Sequence, residues 1–147
     1  MQSLYDSDYA QWAETMAQKL AEKRFTELSE LDLSNLVEEI QDLSKRERDA
    51  LLSSIRLILQ HLLKWDYQSA KRSRSWQITI ERERKNIEIY LEDSPSLKRY
   101  LSEESVNKMY RTARLDATKE TQIEMPKDCP YSIGDVLTKV ISGECQW

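Results

Sequence analysis

The sequence is poor in turn-forming residues, with two glycines and three prolines among its 147 positions. Together these make up about 3% of the chain, where ordinary usage gives about 12%. β-Sandwiches and barrels need many tight turns, which glycine and proline supply, so their scarcity argues against both classes. Helices need few such residues. We therefore expect an all-α fold.

Residues that serve metal, disulfide and cofactor sites are also scarce. The chain has a single histidine and two cysteines, Cys129 and Cys145, with no CxxC spacing. We therefore expect no metal, no cofactor and reduced thiols in a cytoplasmic protein, with a Cys129–Cys145 disulfide as the alternative. No Gly-rich phosphate loop, GxSxG or HExxH motif is present. We expect no signal peptide, because residues 1–12 have neither a basic n-region nor an apolar h-region, and no membrane span, because no apolar segment is long enough.

Apolar residues recur at helical spacing along most of the chain, which predicts five to seven helices in a single bundle, one domain over 1–147. Asp6 or Ser7 is expected to cap the first helix. A second helix follows Asp32 and has one apolar face, formed by Leu33, Leu36, Val37, Ile40 and Leu43. A break is expected at Ser44, where the apolar residues stop and Ser44 with Glu47 matches a capping box. The other predicted helices cover about 45–66, 75–92, 95–120 and a short segment after Ser132. The helix at about 45–66 is apolar around most of its circumference, which is typical of a buried central helix.

Charge is distributed unevenly along the chain. Residues 1–50 contain 6 basic and 12 acidic residues, whereas residues 51–90 contain 8 basic and 4 acidic ones. The total is −4 at pH 7, which argues against a dedicated non-specific DNA-binding protein. The middle of the chain is therefore a local basic region in an acidic protein.

Within that region, basic and aromatic residues alternate over residues 64–76. Arginine side chains bind phosphate or carboxylate, and aromatic rings stack on bases, so this segment is the main candidate binding site. A structural interpretation is favoured over binding, because proteins that bind bases or phosphates usually have a larger positive excess. In it, the arginines pair with acidic residues of the N-terminal half while both tryptophans anchor helix ends in the core. The candidate binding residues are Trp65, Tyr67, Lys71, Arg72, Arg74 and Trp76.

Three residues are candidates for other chemistry. His61 lies at the edge of an apolar helix face, where a half-buried histidine with one hydrogen-bond partner is expected. Glu83 shares a helical stripe with apolar residues, so it must be paired, protonated or open to solvent. We expect it to form the only internal ion pair, with an arginine among Arg72, Arg74, Arg111 and Arg114. A small enzyme that uses His61 with Glu83 or Cys129 is the least favoured alternative, and no catalytic residue is assigned.

Five short motifs carry a resemblance to a known family. They are LVEEIQDL at 36–43, HLLKW at 61–65, RSRSW at 72–76, DSPSL at 93–97 and CPY at 129–131. In this order and spacing they resemble the bacterial family named domain of unknown function 29, common in photosynthetic prokaryotes. The likeness covers about residues 4–141. It implies an all-helical fold and carries no catalytic residue, because no activity is assigned to the family.

The sequence therefore predicts a non-enzymatic interaction or regulatory module that acts through contacts with a protein partner. The alternative is nucleic-acid or phosphoanion binding by the basic and aromatic segment 64–76. Neither the partner nor the oligomeric state follows from the residues.

Overall fold

α-Helices make up most of residues 3–141, the part of the chain that the structure, a computed structural model, describes. Six α-helices are found there and no strand, so the predicted all-α class is confirmed. They are α1 (Leu4–Ser7), α2 (Tyr9–Ala21), α3 (Glu30–Tyr67), α4 (Arg74–Asp93), α5 (Glu103–Thr121) and α6 (Ile133–Thr138). The chain divides into two compact units, Met1–Lys45 and Arg46–Trp147. The single domain over 1–147 stays a prediction.

The first unit contains α1, α2 and the first part of α3. Ser3 caps α1 and Asp8 caps α2, rather than the predicted Asp6 or Ser7. Trp12 is buried, and its Nε1 donates to Asp32 Oδ1 at 3.3 Å. The side chain of Ser29 accepts from the backbone N–H of Asp32, and the carboxylate of Asp32 accepts from the N–H of Ser29. This reciprocal capping starts α3 at Glu30, slightly before the predicted start.

Helix α3 runs without interruption from Glu30 to Tyr67, so the predicted break at Ser44 is wrong. The central helix predicted at about 45–66 is the second part of this longer helix. The segment from Lys45 to Ala50 contains good helix formers and neither glycine nor proline. A capping-box pattern starts a helix only where the preceding chain leaves helical geometry, and nothing at Ser44 forces that. Helix propensity therefore keeps α3 continuous through Ser44.

The second unit is a bundle built around the buried part of α3. Ser54 of α3 contacts Glu83 of α4, while Trp65 contacts Arg72 near the start of α4, so these two helices are antiparallel. α5 runs parallel to α3, as the pairs Arg56–Asp116 and Lys64–Glu120 show. The core includes Leu51, Ile55, Ile58, Leu59, Leu62 and Leu63 of α3, all of them 0 or 1% exposed. The predicted burial of this part of the chain is confirmed.

The remaining boundaries follow local sequence signals, with one difference. Residues Pro95–Tyr100 form 3-10 helix, and Ser102 then caps α5, so the segment predicted as one helix from Pro95 is two. Ser132 caps α6, as expected, and the structure shows that it does so in a capping box with Asp135. Arg84 of α4 donates to the carbonyls of Asp135 and Val136, which fixes α6 to the bundle.

Candidate functional site

The basic and aromatic segment 64–76 connects α3 to α4. It contains the end of α3, a 3-10 turn at Ser69–Lys71 and the N-cap Ser73, whose side chain accepts from the backbone of Trp76. The segment therefore reverses the chain direction between two antiparallel helices. Its side chains divide into an inward group and an outward group.

Arg72 belongs to the inward group. Its Nε donates to the backbone carbonyl of Trp65 at 2.8 Å, and its guanidinium lies over the Trp65 ring, 5.1 Å from the centroid. The last carbonyls of a helix have no partner within the helix, and a cation there also interacts favourably with the helix dipole. Trp65 is buried. Arg72 thus caps α3, and reversing its charge would disturb the fold as well as any binding.

Lys64 is a buried cation at the same corner of the bundle. Only 7% of its side chain is exposed, and its Nζ lies 2.7 Å from Glu120 Oε2 of α5. The same Nζ is 5.0 Å from the centroid of the Trp76 ring. Gln60 Nε2 donates to the other oxygen of Glu120 at 2.6 Å. Trp76 is half-buried and in this way contributes to an internal polar cluster.

The outward group comprises Tyr67, Lys71 and Arg74, all exposed. Arg74 lines a small cleft of about 200 Å³ together with Gln77, Ile78 and Glu81. Of the six residues predicted to bind a partner, the structure thus places three at the surface and gives Trp65, Trp76 and Arg72 internal contacts. The binding role of this segment stays a prediction.

Glu83 is buried on α4, as its stripe position predicts. Its Oε2 accepts from Ser54 Oγ at 2.8 Å and from Asn86 Nδ2 at 3.3 Å. Its arginine partner is the adjacent Arg82, at 3.4 Å, so the prediction of a partner among Arg72, Arg74, Arg111 and Arg114 is wrong. The reason is that Glu83 faces α3, where a serine supplies the hydrogen bond.

The pair between Arg82 and Glu83 is also not the only ion pair between side chains of the bundle, as was expected for Glu83. Arg56–Asp116 and Lys64–Glu120 both connect α3 to α5. The polar residues of the mainly apolar second part of α3 form a narrow strip, and two of them, Arg56 and Lys64, face another helix. Sequence periodicity alone does not distinguish such a strip from one that faces water.

The three residues of the alternative enzyme hypothesis have separate environments. His61 Nδ1 donates to the carbonyl of Leu57 at 2.8 Å. Burial, and then the nearby Lys64 ammonium, lowers the pKa of His61. Glu83 contacts Ser54, which precedes His61 by seven residues, or about 10 Å along a helix at 1.5 Å per residue. The histidine and the glutamate are therefore about two turns apart along α3.

Cys129 does not have the environment of a nucleophile. Its Sγ donates to the carbonyl of Tyr131 at 3.3 Å, and burial raises the pKa of the thiol. A raised pKa leaves less of the reactive thiolate at neutral pH. Cys145, the partner in the alternative disulfide, lies outside the described residues. Within residues 3–141, no group of three or more His, Cys, Asp or Glu side chains is arranged to hold a metal ion.

An aliphatic stripe on α3 is the surface feature that sequence reasoning placed wrongly. The apolar face predicted for the second helix comprises Leu33, Leu36, Val37, Ile40 and Leu43, and such a face indicates burial. Leu36 is half-buried, whereas Leu33, Val37, Ile40 and Leu43 are 47, 55, 65 and 58% exposed. We call these four residues the α3 stripe. Their spacing is that of an ordinary core helix, so periodicity could not distinguish burial from exposure. Exposed aliphatic groups this close together are uncommon on monomeric proteins.

Comparisons with known proteins place the chain in a family without assigning it an activity. No curated protein matches the sequence, and no solved structure matches the fold. No helix in residues 3–141 combines the length and apolar character needed to cross a bilayer. The sequence model of one family, described as Domain of unknown function DUF29, matches residues 4–140. The chain, whose sequence motifs and all-helical fold agree with that match, is therefore a member of the DUF29 family.

Proposed function

We propose that this protein is a cytoplasmic, non-enzymatic interaction module that binds a protein partner through the α3 stripe. The observation that carries this proposal is the exposure of four aliphatic side chains, Leu33, Val37, Ile40 and Leu43, by about half or more of their surface. They occupy one helix face at spacings of three and four residues. A partner helix can cover such a face with its own apolar side chains.

The size of the stripe indicates what else the partner must contribute. Full burial of one aliphatic side chain is worth about 1.5–3 kcal/mol, so covering four half-exposed ones yields about 4 kcal/mol. Even before the cost of association is subtracted, this corresponds to a Kd no tighter than about 1 mM, too weak for a specific complex. Residues 1–45 contain 4 basic and 10 acidic residues, a net charge of −6. We therefore infer a partner segment in which lysine or arginine flanks aliphatic residues, so that charge attraction adds to apolar burial.

Site-specific photocrosslinking in the producing cell tests this proposal. A photoreactive amino acid replaces Ile40 in one variant and Gln18, an exposed residue of α2, in the matched control. We expect one defined adduct from position 40, joined to a basic and aliphatic peptide of another protein, and no such adduct from position 18. Adding Val37→Ser should reduce the adduct at least fivefold without lowering the urea midpoint. Equal adducts from both positions, or none from position 40, would overturn the proposal.

A further inference from the structure

A second exposed surface, on α5, has the opposite charge to residues 1–45. Lys108, Arg111, Leu115 and Lys119 follow one another at spacings of three or four residues and so lie on one face. All four are exposed, and Leu115 is 55% exposed. We call these residues the α5 face. It extends about 16 Å along the helix at 1.5 Å per residue.

The cations of the α5 face have no internal partner. Within the described part of the chain, Lys108, Arg111 and Lys119 form neither an ion pair nor a side-chain hydrogen bond. Arg114, on the neighbouring side of the same helix, does have partners: it donates to the carbonyls of Met125 and Pro126. The contrast separates a cation that holds the fold together from three that do not.

Open clefts accompany this face. One of about 550 Å³ lies beside Lys108 and Arg111, and another of about 710 Å³ is lined by Arg111, Leu115 and Lys119 among others. Two further clefts, of about 500 and 340 Å³, adjoin the same helix. Together the four are lined by seven lysines and arginines and three acidic residues. The local charge is therefore positive in a protein whose net charge is −4.

We propose that the α5 face binds an acidic, leucine-containing peptide segment of a partner protein, at a site distinct from the α3 stripe. Charge complementarity selects an anionic partner. Leu115 selects a polypeptide over a nucleic acid, because an aliphatic side chain in the middle of the face gains nothing from a phosphate backbone. Single-stranded nucleic acids bound without sequence preference are held by aromatic stacking together with cations, and the four residues of the α5 face include no aromatic one.

Fluorescence anisotropy with three labelled probes tests this site. The probes are a 14-residue peptide of glutamate and leucine with leucine at helical spacing, a peptide of glutamate alone with the same charge, and a 14-bp DNA duplex. We expect the glutamate–leucine peptide to bind at least tenfold more tightly than either of the others at 50 mM salt. The Leu115→Ser variant should bring the two peptides to within twofold of each other.

Charge reversal provides the matched control. Lys108→Glu with Arg111→Glu should weaken peptide binding at least tenfold, whereas Lys23→Glu with Lys85→Glu, which changes the net charge by the same amount at exposed positions, should change it less than twofold. Circular dichroism checks that each variant keeps its helices. Tighter binding of DNA, equal binding of both peptides to the wild type, or equal effects of the two double reversals would overturn the assignment. We expect these changes to leave the photocrosslink at position 40 unaffected, so a failure of this assignment can be distinguished from a failure of the proposed function.

Discussion

Removing Glu120 should destabilise the protein more than removing Lys64, although the two residues form one ion pair. Lys64 Nζ lies 2.7 Å from Glu120 Oε2, and the exposed fractions of the two side chains are 7 and 49%. Glu120→Ala leaves a buried ammonium and the Gln60 amide without their carboxylate. Lys64→Met removes the charge and keeps the apolar stem, while Glu120 stays half in water. The asymmetry follows from which group is left unpaired in the interior.

The magnitudes come from this geometry. Leaving a fully buried charge unpaired costs about 3–5 kcal/mol, and because Glu120 is half-exposed we expect about 2–3 kcal/mol for Glu120→Ala. Lys64→Met should cost about 1 kcal/mol or less. The double variant has no unpaired ammonium, so the stability it loses should be close to the stability lost in Lys64→Met. A double-mutant cycle should therefore give a coupling energy of about 2 kcal/mol.

Urea unfolding followed by circular dichroism at 222 nm measures these differences. With a slope of about 2 kcal/mol per M of urea, Glu120→Ala should lower the midpoint by about 1 M or slightly more. Glu124→Ala is the control, because Glu124 is 90% exposed and only 3.9 Å from Arg114. It should change stability by less than about 0.5 kcal/mol. A cycle without coupling, or Lys64→Met as costly as Glu120→Ala, would refute the reasoning.

Two further outcomes test the interior polar groups. The folded-state pKa of His61 is lowered, so just below the ordinary value of 6.5 the unfolded chain binds more protons than the folded one, and stability falls as the pH is lowered. When urea midpoints are compared from pH 7.5 to 5.5, His61→Gln should remove that part of the decline, and an unchanged slope would contradict the prediction. Ser54→Ala should cost about 1–2 kcal/mol because it removes the closest donor to Glu83, whereas Arg82→Gln should cost under about 0.5 kcal/mol because Arg82 is 57% exposed; the reverse order in thermal melts would show that the arginine supports Glu83.

The helices and the core of the second unit could be predicted because one physical signal determines both. The residues of α3 from Leu51 to Leu63 are apolar around most of the helix circumference. Such a helix buries all its apolar side chains only when other helices surround it. Ser132 likewise marks the start of α6 because a side-chain cap acts within one turn. Pro95, whose fixed φ suits a first helical position, marks the start of the 3-10 helix that follows α4. Helix boundaries can therefore be predicted from the sequence where they depend on neighbouring residues and not on a distant partner.

The site could not be predicted to the same extent, because it depends on which helices meet. Arg72 was predicted as a ligand-binding residue, but the chain reversal at Ser69–Lys71 returns it to the carbonyl of Trp65. The unpaired cations of α5 could not be recognised from the sequence, because the residue type does not show whether a lysine side chain pairs with a carboxylate in the fold. Lys64 and Lys108 show the contrast: only the first meets a carboxylate. Pairing becomes visible only after packing.

The two proposed surfaces require partner segments of opposite charge, which limits how the module can work. Residues 1–45 have a net charge of −6, whereas the clefts along α5 are lined by an excess of four cations. A segment attracted to one surface is repelled by the other, because like charges disfavour association. One uniform peptide therefore does not occupy both sites. If both proposals hold, the protein connects two partners, or two differently charged segments of one, and charge reversal on α5 should leave the partner of Ile40 in place.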